Sequence, residues 1–168
     1  MLKKIVLSLL CVLPFSIFAQ DVKLGHVDFE AVVTQMPEIA KVKLQMDTLQ
    51  NQWENTLVKM REEHSAKIKE LQDKQSTMPQ SIQEALLAEI QEIENRISTF
   101  QQQAYTDLQK KQKEAMAPII EKVRTAIKAV GTENKLTYVF DLSTQNIVYM
   151  APTAFDITPL VKKKLGLK

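Results

Sequence analysis

Between residues 38 and 115 the apolar side chains recur every three or four positions. The first series is Ile39, Val42, Met46, Leu49, Trp53, Leu57, Met60, Ile68 and Leu71, with His64 filling the single gap. The positions between are mostly Lys, Glu, Gln, Asn and Asp, which suits a solvated rod. Such spacing marks the seam of a coiled coil rather than the broader stripe of a globular helix. The series breaks at residues 75–79, where Pro79 disfavours helix at Met78 and suits the first turn of a new one. A second seam follows in Ile82, Leu86, Ile90, Ile93, Ile97, Phe100, Ala104 and Leu108, and fades through the polar residues 109–114. Two rods joined by so few residues must lie antiparallel. Each has about 35 residues, so at about 1.5 Å per residue the hairpin reaches roughly 50 Å.

The flanks carry a different pattern. Residues 22–28 read as a short β-branched-rich strand, with Asp28 placed to cap one or two helical turns before Pro37. After Pro118, expected to kink or restart the returning helix, Ile119, Ile120, Val123, Ala126, Ile127 and Val130 form a denser apolar face. Gly131 is the expected C-cap. Residues 136–140 and 147–150 read as two strands of a β-hairpin around a turn at 141–146. Thr158 is the expected cap of a last helix, with Pro159 in its first turn. Two strands cannot stand alone in water, so the distant ends of the chain must build one small body together. A body of about 70 residues is near the lower limit for a self-sufficient core, and oligomerisation through its sheet is the expected supplement. No glycine occurs between Gly25 and Gly131, which fits a projecting rod better than a compact domain with frequent turns.

The first residues change the picture. Lys3 and Lys4 precede an apolar run of about 14 residues, too short to cross a bilayer as a helix, and Ala19 stands at a signal-peptidase position. Residues 1–19 are therefore read as a cleaved secretory signal. Cys11 admits a lipoprotein alternative, but Leu10 is too large for the position before a lipidated cysteine. The only cysteine leaves with the signal, so the mature chain has no disulfide, thiol nucleophile or Cys-ligated metal. The full chain has 22 Lys+Arg and 20 Asp+Glu; losing Lys3 and Lys4 leaves a formally neutral protein.

Candidate chemistry is sparse. His26 and His64 lie in different modules, and neither has a second His or Cys at metal-ligand spacing. No Gly-rich phosphate loop is present. Glu62 with Glu63, and Glu92 with Glu94, do not face each other on a helix and read as solvated faces. His64 reads as a tolerated polar seam position; the alternative is a pH-sensitive element. Trp53 and Phe100 fit the seam, where they are expected to stack across it. Catalysis is not expected, and no cofactor is expected. Lys162, Lys163 and Lys164 read as a solvated helix end that suits the helix dipole, with weak contact to a membrane surface as the alternative and nucleic acid excluded.

These features together resemble the OmpH/Skp family of periplasmic chaperones, and the likeness covers essentially the whole mature chain. Its N-terminal marker is Leu24-Gly25-His26-Val27-Asp28 with Pro37. Its C-terminal marker is the helix of 118–130, the strands of 136–141 and 147–149, and Asp156-Ile157-Thr158. The resemblance implies an α+β fold: a small β-rich trimerisation body (20–38 and 116–168) carrying a long antiparallel α-helical coiled-coil hairpin arm (39–115). It implies a periplasmic homotrimer that holds unfolded outer-membrane β-barrel proteins without ATP. Val22, Leu24, Val27, Val139, Phe140, Ile147 and Tyr149 are the expected trimer-body residues. Met46, Trp53, Met60, Met78 and Phe100 are the candidate client contacts, with seam packing as the other reading of all but Met78, which is expected to be exposed at the tip. The neutral charge and acidic start of the second rod depart from the basic arms of the family, so no lipopolysaccharide or lipid site is carried over. His26 stands where the family often has an aromatic residue and is expected to be structural. The alternative function is a structural or tethering coiled-coil protein of the cell envelope.

Overall fold

The structure, a computed structural model, describes residues 22–167; the expected signal segment, with Cys11, lies outside them. The elements are β1 (Leu24–Val27), α1 (Phe29–Val33), α2 (Glu38–Lys74), α3 (Gln80–Glu133), β2 (Tyr138–Asp141), a 3₁₀ turn (Leu142–Thr144), β3 (Phe155–Asp156) and α4 (Thr158–Leu165). Asp28 caps α1 as its sequence position suggests: its Oδ1 accepts the N–H of Ala31 at 2.8 Å.

Helices α2 and α3 form the arm. Every seam residue of α2 from Ile39 to Leu71, His64 included, is half-buried, while most residues between them are exposed. In α3 the seam is best covered at Leu86, Ile90 and Ile93. Ion pairs join the two helices at Glu38–Lys122, Glu63–Arg96 and Lys67–Glu89, and the His64 ring meets Glu94 at hydrogen-bond distance between them. Partner numbers fall along α3 as they rise along α2. Ile82, expected in the seam, is exposed, because α2 ends at Lys74 and leaves nothing opposite it. Gln83 closes the reversal instead, donating from Nε2 to the carbonyls of Gln75 (2.8 Å) and Met78 (2.9 Å).

The expected break at Pro118 does not occur, and Gly131 is not the cap; α3 runs unbroken for 54 residues through both. Pro118 is exposed, and the buried Ile119, Val123, Ala126 and Val130 pin the helix to the core just beyond it. Packing thus outweighs the lost hydrogen bond to the carbonyl of Glu114. Gly131 lies buried within the last turns of the helix, and a Cβ there would meet Val139 Cγ2 at 3.6 Å, an ordinary contact. The helix ends at Glu133 with Asn134 as its cap, and Lys135 beyond it is left-handed at φ 56°, so that Lys135 N–H meets Thr132 O (3.1 Å) and Leu136 N–H meets Gly131 O (2.9 Å). A non-glycine residue in this conformation is strained, so Lys135→Gly is expected to stabilise the protein by about 0.5–1 kcal/mol. A urea midpoint that falls in the variant would refute this.

The sheet has the order β2-β1-β3, with both outer strands parallel to β1. The β-hairpin expected from residues 136–150 is therefore not formed. Residues 147–150 join no strand, and the third strand is Phe155–Asp156. The chain leaves β2 through a turn in which Asp141 Oδ1 accepts from Ser143 N (2.9 Å) and Oγ (2.7 Å), then crosses to the far edge of β1. Ile157 anchors that crossing: it is fully buried, and its N–H donates to His26 O at 2.9 Å. Gly25 lets the layers meet here, since a Cβ would fall 2.7 Å from Leu136 Cδ1. The core joins Val27, Val32, Val33 and Met36 to Ile119, Val123, Ala126 and Val130, and to Ile157 and Val161. Thr158 is not the cap of α4. It is already the first helical residue; the cap position falls to Ile157, which has no capping side chain, and Asp156 Oδ1 one residue earlier accepts the N–H of Thr158 (2.8 Å). The Thr158 hydroxyl instead accepts the N–H of Asp28 at 3.0 Å, tying β1 to α4.

Candidate functional site

Two surfaces stand out. The first is the outer face of the sheet. Alternate residues of a strand point to opposite faces, so Tyr138 and Phe140 project outward while Val139 packs on the core. Register pairs Leu24 with Tyr138 and His26 with Phe140, which sets these four side by side. The rings of Tyr138 and Phe140 lie 6.4 Å apart. Beside them a groove of about 360 Å³ is lined by Leu24, His26, Phe140, Ile147, Tyr149 and Phe155, among others. Of the residues expected in the body, Val22, Leu24, Phe140 and Tyr149 are exposed and Ile147 lines the groove. Val27 and Val139 face inward and hold the body together rather than presenting a surface. Sequence reasoning passed over Tyr138, Val148, Met150 and Phe155, all exposed apolar residues. The alternation Tyr138, Phe140 was a legible signal for the first; Phe155 could not be read, because a two-residue strand has no period.

The second surface is the arm. Met46, Trp53, Met60 and Phe100 are half-buried in the seam, and Met78, expected to be exposed, is half-buried too, at the reversal that Gln83 closes onto its carbonyl. Trp53 and Phe100 do not stack, and the aromatic pair found among the described residues is Tyr138–Phe140. The bracketing ion pairs at Glu38–Lys122 and Glu63–Arg96 explain why: Trp53 lies nearly two turns along the arm from the level of Phe100. Off the seam, Leu44, Val58, Leu87 and Tyr105 are exposed. Near the arm's root, Leu44, Met46 and Leu49 face Ala115 across an open groove of about 670 Å³.

A family model described as outer membrane protein (OmpH-like) matches residues 23–165, which takes in every element from β1 to α4. The chain belongs to the OmpH-like family. A crystal structure of an OmpH-like protein from Caulobacter crescentus CB15, provisionally described as an outer membrane chaperone, shares the fold with a TM-score of 0.71. It is 21% identical, over 86% of this chain and 83% of its own. No curated protein matches the chain.

The OmpH-like arm is bound together mid-length by charge. Arg96 Nη2 reaches both oxygens of Glu63 at 3.1 Å, His64 Nε2 lies 3.0 Å from Glu94 Oε1, and Lys67 Nζ donates to Glu89 at 2.6 Å. The bond to Glu89 raises the Lys67 ammonium above its ordinary range, and Lys74 holds Glu70 below its own. These exposed pairs act on register more than on stability. At the arm's root Lys122 Nζ donates to Glu38 Oε1 at 2.5 Å, while Glu38 Oε2 is shut from water with no partner among the described residues. The bond to Lys122, aided by the Glu38 backbone, holds this carboxyl below its ordinary 4.5. A carboxyl with a depressed folded value adds stability that is complete above its unfolded value and is lost as pH falls through the folded one. Acid should therefore loosen the root below about pH 4.5 in the wild type. Lys122→Met should remove that part of the acid dependence. Equal slopes of urea midpoint against pH in the two proteins would count against this.

Of the basic run, Lys164 pairs with Glu133 of α3, and all three lysines sit in the last turn of α4. Among the described residues no group of three His, Cys, Asp or Glu could hold a metal ion, and no helix is long and apolar enough to cross a membrane.

Proposed function

We propose that this OmpH-like chain is an ATP-independent holdase chaperone of the periplasm, which keeps unfolded outer-membrane β-barrel proteins from aggregating. The observation that carries the reading is a helical arm, about 55 Å long at 37 residues in α2, held to its body at one end only. The described relative from Caulobacter and the OmpH-like family support a chaperone role in general. We assign residues 20–38 and 116–168 to the body and 39–115 to an antiparallel coiled-coil prong. The confinement of the main core to residues 27–36 and 119–161 supports this division. The signal-like start of the sequence supports export.

The body is a homotrimer in this reading. Its outer sheet face is apolar and open, β2 has a free edge, and the strand-like residues 147–150 lie unpaired beside it. Apolar patches of this kind mark protein contacts, and an unpaired strand edge is a template for another chain. Three arms around a common hub would enclose a client with many weak contacts. Each released segment then stays at high effective concentration, so capture needs no strong single site. Release follows when the client's own folding removes its apolar surface.

Dilution of a urea-unfolded outer-membrane β-barrel protein into buffer tests the reading. Light scattering should fall to a plateau near one trimer per client, with or without ATP. Undiminished aggregation would instead favour a structural tether of the envelope.

A further inference from the structure

We propose that the open groove at the arm's root docks one extended segment of an unfolded outer-membrane β-barrel strand, about four residues long. The inference rests on the holdase reading above and says where on the arm a client is gripped.

The groove is a gap in the seam, and its cause is written in α3. Beyond Leu108 the line of seam positions continues at steps of three and four through Lys111 and Ala115 to Ile119. Neither Lys111 nor Ala115 fills the space beside Met46 and Leu49 of α2. Lys111 is exposed and turns toward Glu114, its Nζ 3.8 Å from Oε2. Ala115 ends at a methyl group. Nearer the tip the buried Leu86, Ile90 and Ile93 close the same line. The unfilled stretch is the groove of about 670 Å³, with Leu44, Met46, Leu49 and Ala115 as its apolar floor. Leu44 is 67% exposed, and the flexible thioether of Met46 can adapt to irregular partners.

The chemistry of the rim selects the occupant. Lys111 and Glu114 are the groove's charges and they face one another, so the site is neutral and offers little to an ionic ligand. The hydroxyl of Thr48 is engaged by the carbonyl of Leu44 at 2.7 Å. The exposed carboxamides of Gln45 and Gln52 complete the rim. A carboxamide both donates and accepts, which suits the unpaired N–H and C=O groups of an extended backbone. A helix satisfies those groups internally and presents none along its length. An apolar floor under a polar rim takes every second side chain of an extended segment. Alternating apolar and polar residues are the pattern of an outer-membrane strand. From Leu44 to Gln52 α2 rises about 12 Å, which an extended chain covers in about four residues. Nine residues line the groove, against about 20–30 a side in a stable protein interface, so it is too small to hold a second folded copy.

Photocrosslinking tests the site directly. The mature chain from Gln20 contains no cysteine, so a single introduced cysteine can carry a benzophenone label. Gln52→Cys places the label on the rim. Gln112→Cys is the control, an exposed position of α3 at the same level of the arm but outside the groove's lining. Each labelled protein is mixed with an outer-membrane β-barrel protein diluted from urea and then irradiated. The client should crosslink from Gln52→Cys and little from Gln112→Cys. Two unlabelled variants measure the energetic share. Ala115→Leu fills the floor, so it should weaken client binding by about tenfold, the loss of one buried leucine-sized contact. It should also raise the urea midpoint, because the seam is then closed; opposite changes in binding and stability cannot come from a damaged fold. Leu44→Gln should weaken binding with little change in the midpoint. Equal crosslinking from the two cysteines, or undiminished binding by both Ala115→Leu and Leu44→Gln, overturns the inference, and the holdase reading stands if the wild type still suppresses aggregation. A wild type that suppresses none removes the holdase reading and this inference with it. Should Ala115→Leu fail to fold, as circular dichroism would reveal, Leu44→Gln decides.

Discussion

Val123→Asp is expected to collapse the body while leaving much of the arm helical. Val123 is fully buried between Val27, Ile157 and the rest of the small core. A carboxylate there would have no partner, at a cost of several kcal/mol for an uncompensated buried charge. A small body has little reserve: domains are typically stable by only about 5–15 kcal/mol, and small ones bury less of their surface. The milder Val123→Ala should cost about 1–3 kcal/mol, by lost transfer energy and a residual cavity. Far-UV circular dichroism would show partial loss of helix in Val123→Asp, with near-UV signal from the body tyrosines abolished. A cooperative urea transition close to that of the wild type would mean that Val123 does not lie at the centre of the fold.

Phe140→Glu should have the opposite character: a folded chain that no longer assembles. Phe140 is 45% exposed on the outer sheet face and takes no part in the main core. In a single chain the substituted carboxylate can reach water, so the thermal midpoint should move little. In a trimer closed over that face it would be enclosed three times, each at a cost of several kcal/mol. Sedimentation should then report monomers at concentrations where the wild type is trimeric, and suppression of client aggregation should fall steeply because a single arm encloses nothing. A trimer that survives Phe140→Glu would place the joint between copies elsewhere on the body. The two substitutions separate the inside of the sheet from its outside, which residue type alone does not.

Helices and caps were legible because their causes are local. The seam from Ile39 to Leu71 is spaced by the pitch of its own helix, and the structure half-buries each of its members. Asp28 caps α1 because its side chain needs to reach only three residues ahead. The reversal at residues 75–79 was written in Pro79. Where a local signal failed, a distant contact had overruled it. Pro118 should interrupt a free helix, but the core packing of Ile119 and Val123 carries α3 through it. Thr158 has the chemistry of a cap, yet its hydroxyl is taken by Asp28, 130 residues away in sequence.

The sheet was the least legible part, and for a physical reason. A strand has no hydrogen bonds of its own; its partner decides whether it exists. Residues 147–150 have the composition of a strand and no strand partner among the described residues, whereas Phe155–Asp156 is too short to be read and is paired with β1. The sequence by itself therefore determined a long two-helix arm, its seam, its reversal and the Asp28 cap, because each follows from contacts a few residues apart. Only the tertiary structure decided which strands pair, that both run parallel to β1, and which of Val139 and Phe140 faces the core. Those outcomes depend on bringing together segments more than a hundred residues apart, a choice that no local pattern encodes.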